Sequence, residues 1–359
     1  MYLIDILNRV GRHKWLRPLG WLLHFLATRF SLAMLTRIAG RRMVSAFAGA
    51  PAILLSGFTM RQALRDAKVL YNAMKFSIDT LRLDTFCLMV DLSLEAEACG
   101  CQVQFSDHDL PVVISHPVKA AVDVERMGVP IPYRDGRMPL FLETLRKIKD
   151  NYTVIRVAAV IGPFTLATQL GGSEIYVETR KDPRKVRAIL EYCLKVISAY
   201  AHALSESGAD MLLIAEPAAS QLSPPAYEQF SSSYTKRLTA TIKKPWILHI
   251  CGKSGHLIDK MCESGADALS VDDVDITAVA GGVPRKMVVI GNISPLELLR
   301  GTPEEILKKT TALLTSVKDK KEFLIAPGCD LAAGTPLENI LAFVDAVKGI
   351  KDAGKAKAN

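Results

Sequence analysis

The sequence predicts an α/β protein: a single (β/α)8 barrel of TIM type with a basic helical N-terminal extension. Three observations carry that reading. Short apolar runs rich in β-branched residues alternate with longer amphipathic segments, as in parallel strands joined by right-handed helical crossovers. About eight such runs occur, which favours a closed barrel over an open sheet. The 23 glycines and 18 prolines are spread along all 359 residues, so no long linker divides the chain. The expected organisation is an arm over 1–42, one barrel over 43–349 and a polar tail over 350–359.

The elements follow in order. Residues 43–60 are uncharged but broken by Gly49, Pro51 and Gly57, so they read as a turn and then a buried strand at 52–56. A helical pattern covers 60–82. The apolar run 85–90 is a strand that ends at Asp91. Residues 152–161 form the next strand, stopped by Gly162-Pro163, and a long amphipathic stretch over 183–208 leads into a strand at 210–215. A helix over 226–242 precedes a strand at 245–250. The spacing then tightens: helix 256–265, strand 268–271, strand 287–290, helix 303–318, strand 322–326 and helix 336–348. No internal repeat is visible.

Composition excludes several classes. Hydrophobic residues are 49% and charged residues 23% of the chain, a mix that excludes disorder or low complexity for its bulk. The net charge of +8 is local. Residues 1–42 carry Arg9, Arg12, Lys14, Arg17, Arg29, Arg37, Arg41 and Arg42 against Asp5 alone, leaving the barrel close to neutral. Without a basic stripe interleaved with aromatics, the barrel offers nothing to nucleic acid. The stretch 18–28 is too short to span a bilayer, and no apolar core leads to a signal cleavage site. Seven cysteines, an odd number without framework spacing, read as reduced thiols. These features point to a soluble cytoplasmic protein. A lesser reading lays the arm on a membrane or a partner as a basic amphipathic helix, through Trp15, Trp21, Leu22, Phe25 and Leu26.

In a barrel, chemistry collects where strands end and βα loops begin. Those ends carry Asp91, Glu95 and Glu97; Gly162-Pro163; Glu216-Pro217; His249 and Cys251; Asp272, Asp273 and Asp275; Asn292; and Cys329-Asp330. The informative pair is His249-Ile250-Cys251, because residues i and i+2 of a strand share a face. Cys329, at the end of the last strand, faces the same mouth. A His/Cys/Cys set suits Zn²⁺ and leaves a fourth position open, as catalytic zinc sites do. Spacing alone also admits three unrelated buried residues, since cysteine often packs as a small hydrophobe. Asp91, Glu216 and Asn292 are candidates for substrate orientation or support of the ligands, and equally for helix caps. Cys99 and Cys101 read as packing residues. Of Asp272, Asp273 and Asp275, one at most reaches the site.

At these residues the chain resembles the uroporphyrinogen decarboxylase superfamily, and within it the methylcobamide:coenzyme M methyltransferases and their corrinoid-dependent relatives. The resemblance runs from about Phe47 to Lys348. It rests on DLSLEAEACG, GPFTLA, AEPAASQLSPPAYEQF, ILHICG, GADALSVDD, IGNISP and APGCDLAAGTPLENI, in that order. It implies that His249, Cys251 and Cys329 are zinc ligands. It further implies a methyl donor carried as a methylcorrinoid by a separate corrinoid protein, and a small thiol such as coenzyme M as acceptor. The decarboxylase branch is the rival. Asp91 matches its aspartate, and Met60-Arg61-Gln62-Ala63-Leu64-Arg65 is similar to its arginine motif, with Leu64 where that motif has glycine. A near-neutral barrel is short of the fixed cations that a tetrapyrrole polycarboxylate needs. A non-catalytic scaffold for a corrinoid protein is the third reading. The basic arm has no counterpart in the resemblance.

Overall fold

The computed structural model of the protein describes residues 2–12 and 17–350. Eight parallel strands form one sheet: β1 (Met43–Val44), β2 (Thr85–Cys87), β3 (Ile155–Ile161), β4 (Met211–Ala215), β5 (Trp246–Ile250), β6 (Ala268–Val271), β7 (Val288–Ile293) and β8 (Phe323–Pro327). Their hydrogen-bonded order is β1-β8-β7-β6-β5-β4-β3-β2. The ends of this sheet are drawn together at a seam between β1 and β2. There Asp84 N donates to Val44 O at 2.9 Å, Val44 N donates to the Asp84 carboxylate at 2.8 Å, and the Ser45 and Thr85 hydroxyls lie 2.6 Å apart. The result is a (β/α)8 barrel.

Strands β2 to β8 fall on the expected apolar runs. The expected strand at 52–56 does not form: those residues lie in and just past the helix Gly49–Leu55, and the first strand is the pair Met43–Val44 upstream. A four-residue apolar run carries too little periodicity to separate one helical turn from a strand. Packing decides. Pro51 sits in the first turn of the helix, where its missing N–H costs nothing. At Gly49 the backbone closes on Met89, whose Cα would lie 2.9 Å from an added Cβ.

Side chains alternate along the strands. Val157, Met211, Leu213, Ile247, Val288, Ile290 and Leu324 fill the barrel, while Leu212, Ile214, Leu248, Ile250, Leu269 and Val289 face the surrounding helices. The longest of these helices, Pro183–Ser207, starts at Asp182, whose carboxylate accepts from Lys185 N. It stops at Gly208, whose φ of 116° suits glycine.

The described part of the first 42 residues packs against the barrel. Helices α1 (Leu3–Arg12), α2 (Arg17–Ala27) and α3 (Leu32–Ile38) put Ile4, Ala27, Leu32 and Leu35 into the same cluster as the barrel's interior residues, closing the N-terminal end of the strands. The arginines are used locally. Arg41 bonds Asp84 at 2.7 and 2.9 Å and Asp5 at 2.5 and 3.0 Å. Arg42 donates to the carbonyls of Val317 and Lys320, just past the helix Pro303–Ser316, and Arg37 pairs with Glu322. Trp15, named for the amphipathic reading, and the tail from Lys351 lie outside the described residues. Among the described residues no single helix is long and apolar enough to cross a membrane.

Candidate metal centre

Strand β5 places the first two donors. Ile247 belongs to the barrel interior and Leu248 and Ile250 to the outer layer, so His249 and Cys251 inherit the inward face by alternation. Their register against β6 sets His249 beside Ser270. The ring Nδ1 lies 3.0 Å from Ser270 Oγ and 3.3 Å from Ser270 O, which turns Nε2 toward the sulfurs. Phe47, just past β1, packs edge-on against the imidazole with centroids 5.4 Å apart.

Strand β8 supplies the third donor from the far end of the sequence. Gly328 makes its approach workable: a Cβ there would sit 3.0 Å from Asp272 Cα and 2.4 Å from its carboxylate oxygen. With glycine, β8 and β6 close up, and Cys329 reaches the pair. His249 Nε2 lies 2.9 Å from Cys251 Sγ and 3.5 Å from Cys329 Sγ, and the two sulfurs are 3.0 Å apart. His249 is buried, and both cysteines are half-buried. The hydrogen bond between the thiols, with burial behind it, raises Cys251; the same bond, helped by His249 against the effect of burial, lowers Cys329.

One imidazole nitrogen and two sulfurs lie within 4.8 Å of one another, the imidazole is oriented through its other nitrogen, and the two sulfurs are 3.0 Å apart. A soft divalent cation such as Zn²⁺ fits this set.

The other expected site residues part company with the cluster. Asp91 is buried against Arg137 Nη1 and accepts from Ser93 N at 2.9 Å and Ser93 Oγ at 2.6 Å. Glu216 is fully enclosed. It accepts from Phe164 N at 2.9 Å, Thr165 N at 3.0 Å and Ser231 Oγ at 2.8 Å. It thereby caps the helix Pro163–Gly171, and a Cβ on Gly162 would collide with its carboxylate at 1.9 Å. Asp91 thus ties its own loop to Arg137, and Glu216 caps a helix. Asn292 is close to the centre but works on the backbone, its amide donating to Asp272 O at 2.9 Å and Val274 O at 3.0 Å. Asp272 is the member of its acidic trio that reaches the site, accepting from Gly252 N at 2.9 Å, next to Cys251. Burial, followed by the Cys329 charge, raises its pKa. Asp275 caps the helix Ile276–Gly282. Sequence reasoning missed Ser270, Phe47 and Gly328. Only the glycine of the APGCD segment carried a signal for its role.

Fold and site together define a (β/α)8 barrel whose C-terminal mouth presents a three-donor cluster able to hold a metal ion. The chain belongs to the uroporphyrinogen decarboxylase (URO-D) family, which it matches over residues 33–350. It is similar to the methylcobamide:CoM methyltransferase MtbA of Methanosarcina acetivorans, at 29% identity over 307 residues, covering 82% of this chain and 88% of that one. A solved methyltransferase from Methanosarcina mazei superposes with a TM-score of 0.82 at 25% identity, covering 91% of this chain and 98% of that one. The uroporphyrinogen decarboxylase of Thermodesulfovibrio yellowstonii is also a relative, 25% identical over 282 residues, covering 76% of this chain and 82% of that one.

The two arginines shared with the decarboxylase motif are committed elsewhere. Arg61 pairs with Asp107 at 2.9 Å and donates to Phe105 O at 2.6 Å, and Arg65 stacks 4.3 Å over the Phe105 ring.

Proposed function

We propose that the protein transfers a methyl group from a methylated corrinoid, presented by a separate corrinoid protein, to a small thiol such as coenzyme M. The observation that supports it is the convergence of His249, Cys251 and Cys329 at the mouth of the barrel. Similarity to methylcobamide:CoM methyltransferases supports the same reading. His249, Cys251 and Cys329 would hold zinc and leave one position for a further donor. When bound, zinc supplies a Lewis acid that favours the thiolate form of a thiol at neutral pH.

The protein's own side chains do the rest. Ser270 fixes the imidazole so that Nε2 faces the sulfurs. Phe47 covers one edge of the ring and keeps water from it. Asp272 ties the loop after Cys251 to β6, and Asn292 ties the loop after β6 to β7, so the donors are held by rigid strand ends. In the reaction the substrate sulfur attacks the methyl carbon. A C–S bond forms, the Co–C bond breaks, and its electron pair stays on cobalt, taking the corrinoid from Co(III) to Co(I).

The decisive experiment measures metal content, then mixes the protein with free methylcobalamin and coenzyme M, homocysteine or tetrahydrofolate in turn. Zinc at one per chain and a thiol-dependent change to the Co(I) spectrum are expected, both lost in C251A. Decarboxylation of a uroporphyrinogen with no methyl transfer would assign the other branch of the family. A loaded metal site without either reaction would leave a scaffold.

A further inference from the structure

We propose that the outward face of α2 and α3 docks the protein on the surface of an anionic lipid bilayer, with the metal centre facing away from it. The starting observation is that α2 is amphipathic in the wrong sense for a helix packed on a core. Its small and polar residues face inward. Gly20 sits where a Cβ would come within 2.7 Å of Thr153 Oγ1, Ala27 is buried, and His24 Nε2 lies 3.1 Å from Asp210 Oδ1 and 2.9 Å from Arg156 Nη2. These contacts fix the roll of the helix. They leave Trp21, Leu22, Phe25 and Leu26 outside, with Phe30 in the bend after α2 and Met34 on α3 also outside, each between 42% and 56% exposed. Six large apolar side chains exposed within fourteen residues are the kind of surface that marks an interaction.

Charge identifies the occupant. The one carboxylate of residues 1–42, Asp5, is bonded to Arg41. What borders the patch is cationic: Arg29 stacks 4.5 Å over the Phe25 ring, and Arg37 extends the Phe30–Met34 face. Arg37 is paired there with Glu322, and Lys320 and Lys321 line the same cleft. An apolar centre with tryptophan and a cationic rim matches acyl chains bounded by anionic headgroups. A two-fold pairing with a second copy would set these cations against themselves. The helices lie on the barrel rather than forming one continuous span: they meet at a bend of 119°, and the inner face of α3, carrying Leu32 and Leu35, is bound into the barrel floor. Since α2 and α3 close the N-terminal end of the strands and the His-Cys-Cys cluster lies at the C-terminal end, docking leaves the mouth open.

Flotation of the intact purified chain with vesicles tests this. Vesicles of phosphatidylglycerol in phosphatidylcholine are expected to carry the protein upward, phosphatidylcholine alone to leave it behind, and added salt to release it. The double variant W21S/F25S is expected to lose binding at least about tenfold, with melting temperature and metal content unchanged. R29E is expected to weaken binding to the anionic vesicles. No flotation of the wild type, or flotation that W21S/F25S leaves intact, overturns the proposal. A solution dimer that the same pair of substitutions splits, without vesicle binding, also overturns it and assigns the face to a second copy.

Discussion

At the N-terminal floor of the barrel Asp84 meets Arg41 and Lys348, Asp210 meets Arg156 and His24, and Glu322 meets Arg37. At the C-terminal mouth Glu95 and Glu216 are just as buried, yet among the described residues neither forms an ion pair. They take backbone N–H groups and a serine hydroxyl instead. Burial accordingly raises both carboxyls, Glu95 to about 8. The floor neutralises its charge from within the chain, which fixes structure. At the mouth Arg137 answers Asp91 and Glu97, but the His249, Cys251 and Cys329 donors face one another with no internal cation among them, which leaves a cation from outside something to do.

The sharpest break of this contrast sets one variant at each end. C329A at the mouth is expected to lose bound metal and to lower methyl transfer by more than about a hundredfold, while circular dichroism and urea midpoint stay near wild type. R41A at the floor should do the reverse. Removing Arg41 leaves buried Asp84 with Lys348 alone at 3.4 Å, and is expected to cost about 3 kcal/mol in urea unfolding, with metal stoichiometry intact in the folded fraction.

A smaller effect probes the unpaired acids. A carboxyl raised from 4.5 to about 8 on folding favours the native state below pH 4.5 and loses that contribution as pH rises through 8. Stability should fall across that window by at most about 1.4 kcal/mol per pH unit from this group. E95Q keeps an acceptor for Ile161 N and should flatten the profile of melting temperature against pH; an unchanged slope would place the titration elsewhere. The smallest effect belongs to the group behind the imidazole. S270A is expected to weaken metal affinity by about tenfold in a chelator competition, with the fold untouched.

How much of this was legible depends on whether the signal was local. His249-Ile250-Cys251 could be read because strand alternation alone puts both donors on one face, and seven strands announced themselves by length and β-branched content. The first strand could not be read this way: β1 is two residues long, and closure at its seam depends on Asp84, forty positions away. Glu216 looked like a site residue because it follows a strand. That it serves the Gly162-Pro163 helix start is a contact between two loops, which no single segment encodes. The arm's charge was plain in the sequence, but Arg37, Arg41 and Arg42 proved to be tied to carbonyls and acids of the barrel floor.

Leu32 and Leu35 seal the strands from beneath, so among the described residues the His-Cys-Cys cluster opens toward the C-terminal mouth. On the proposed function, a small molecule bound there would leave by the way it came, and a corrinoid protein seated on that opening would hold both reactant and product until it departs. Traffic through such a cul-de-sac is necessarily taken in turns.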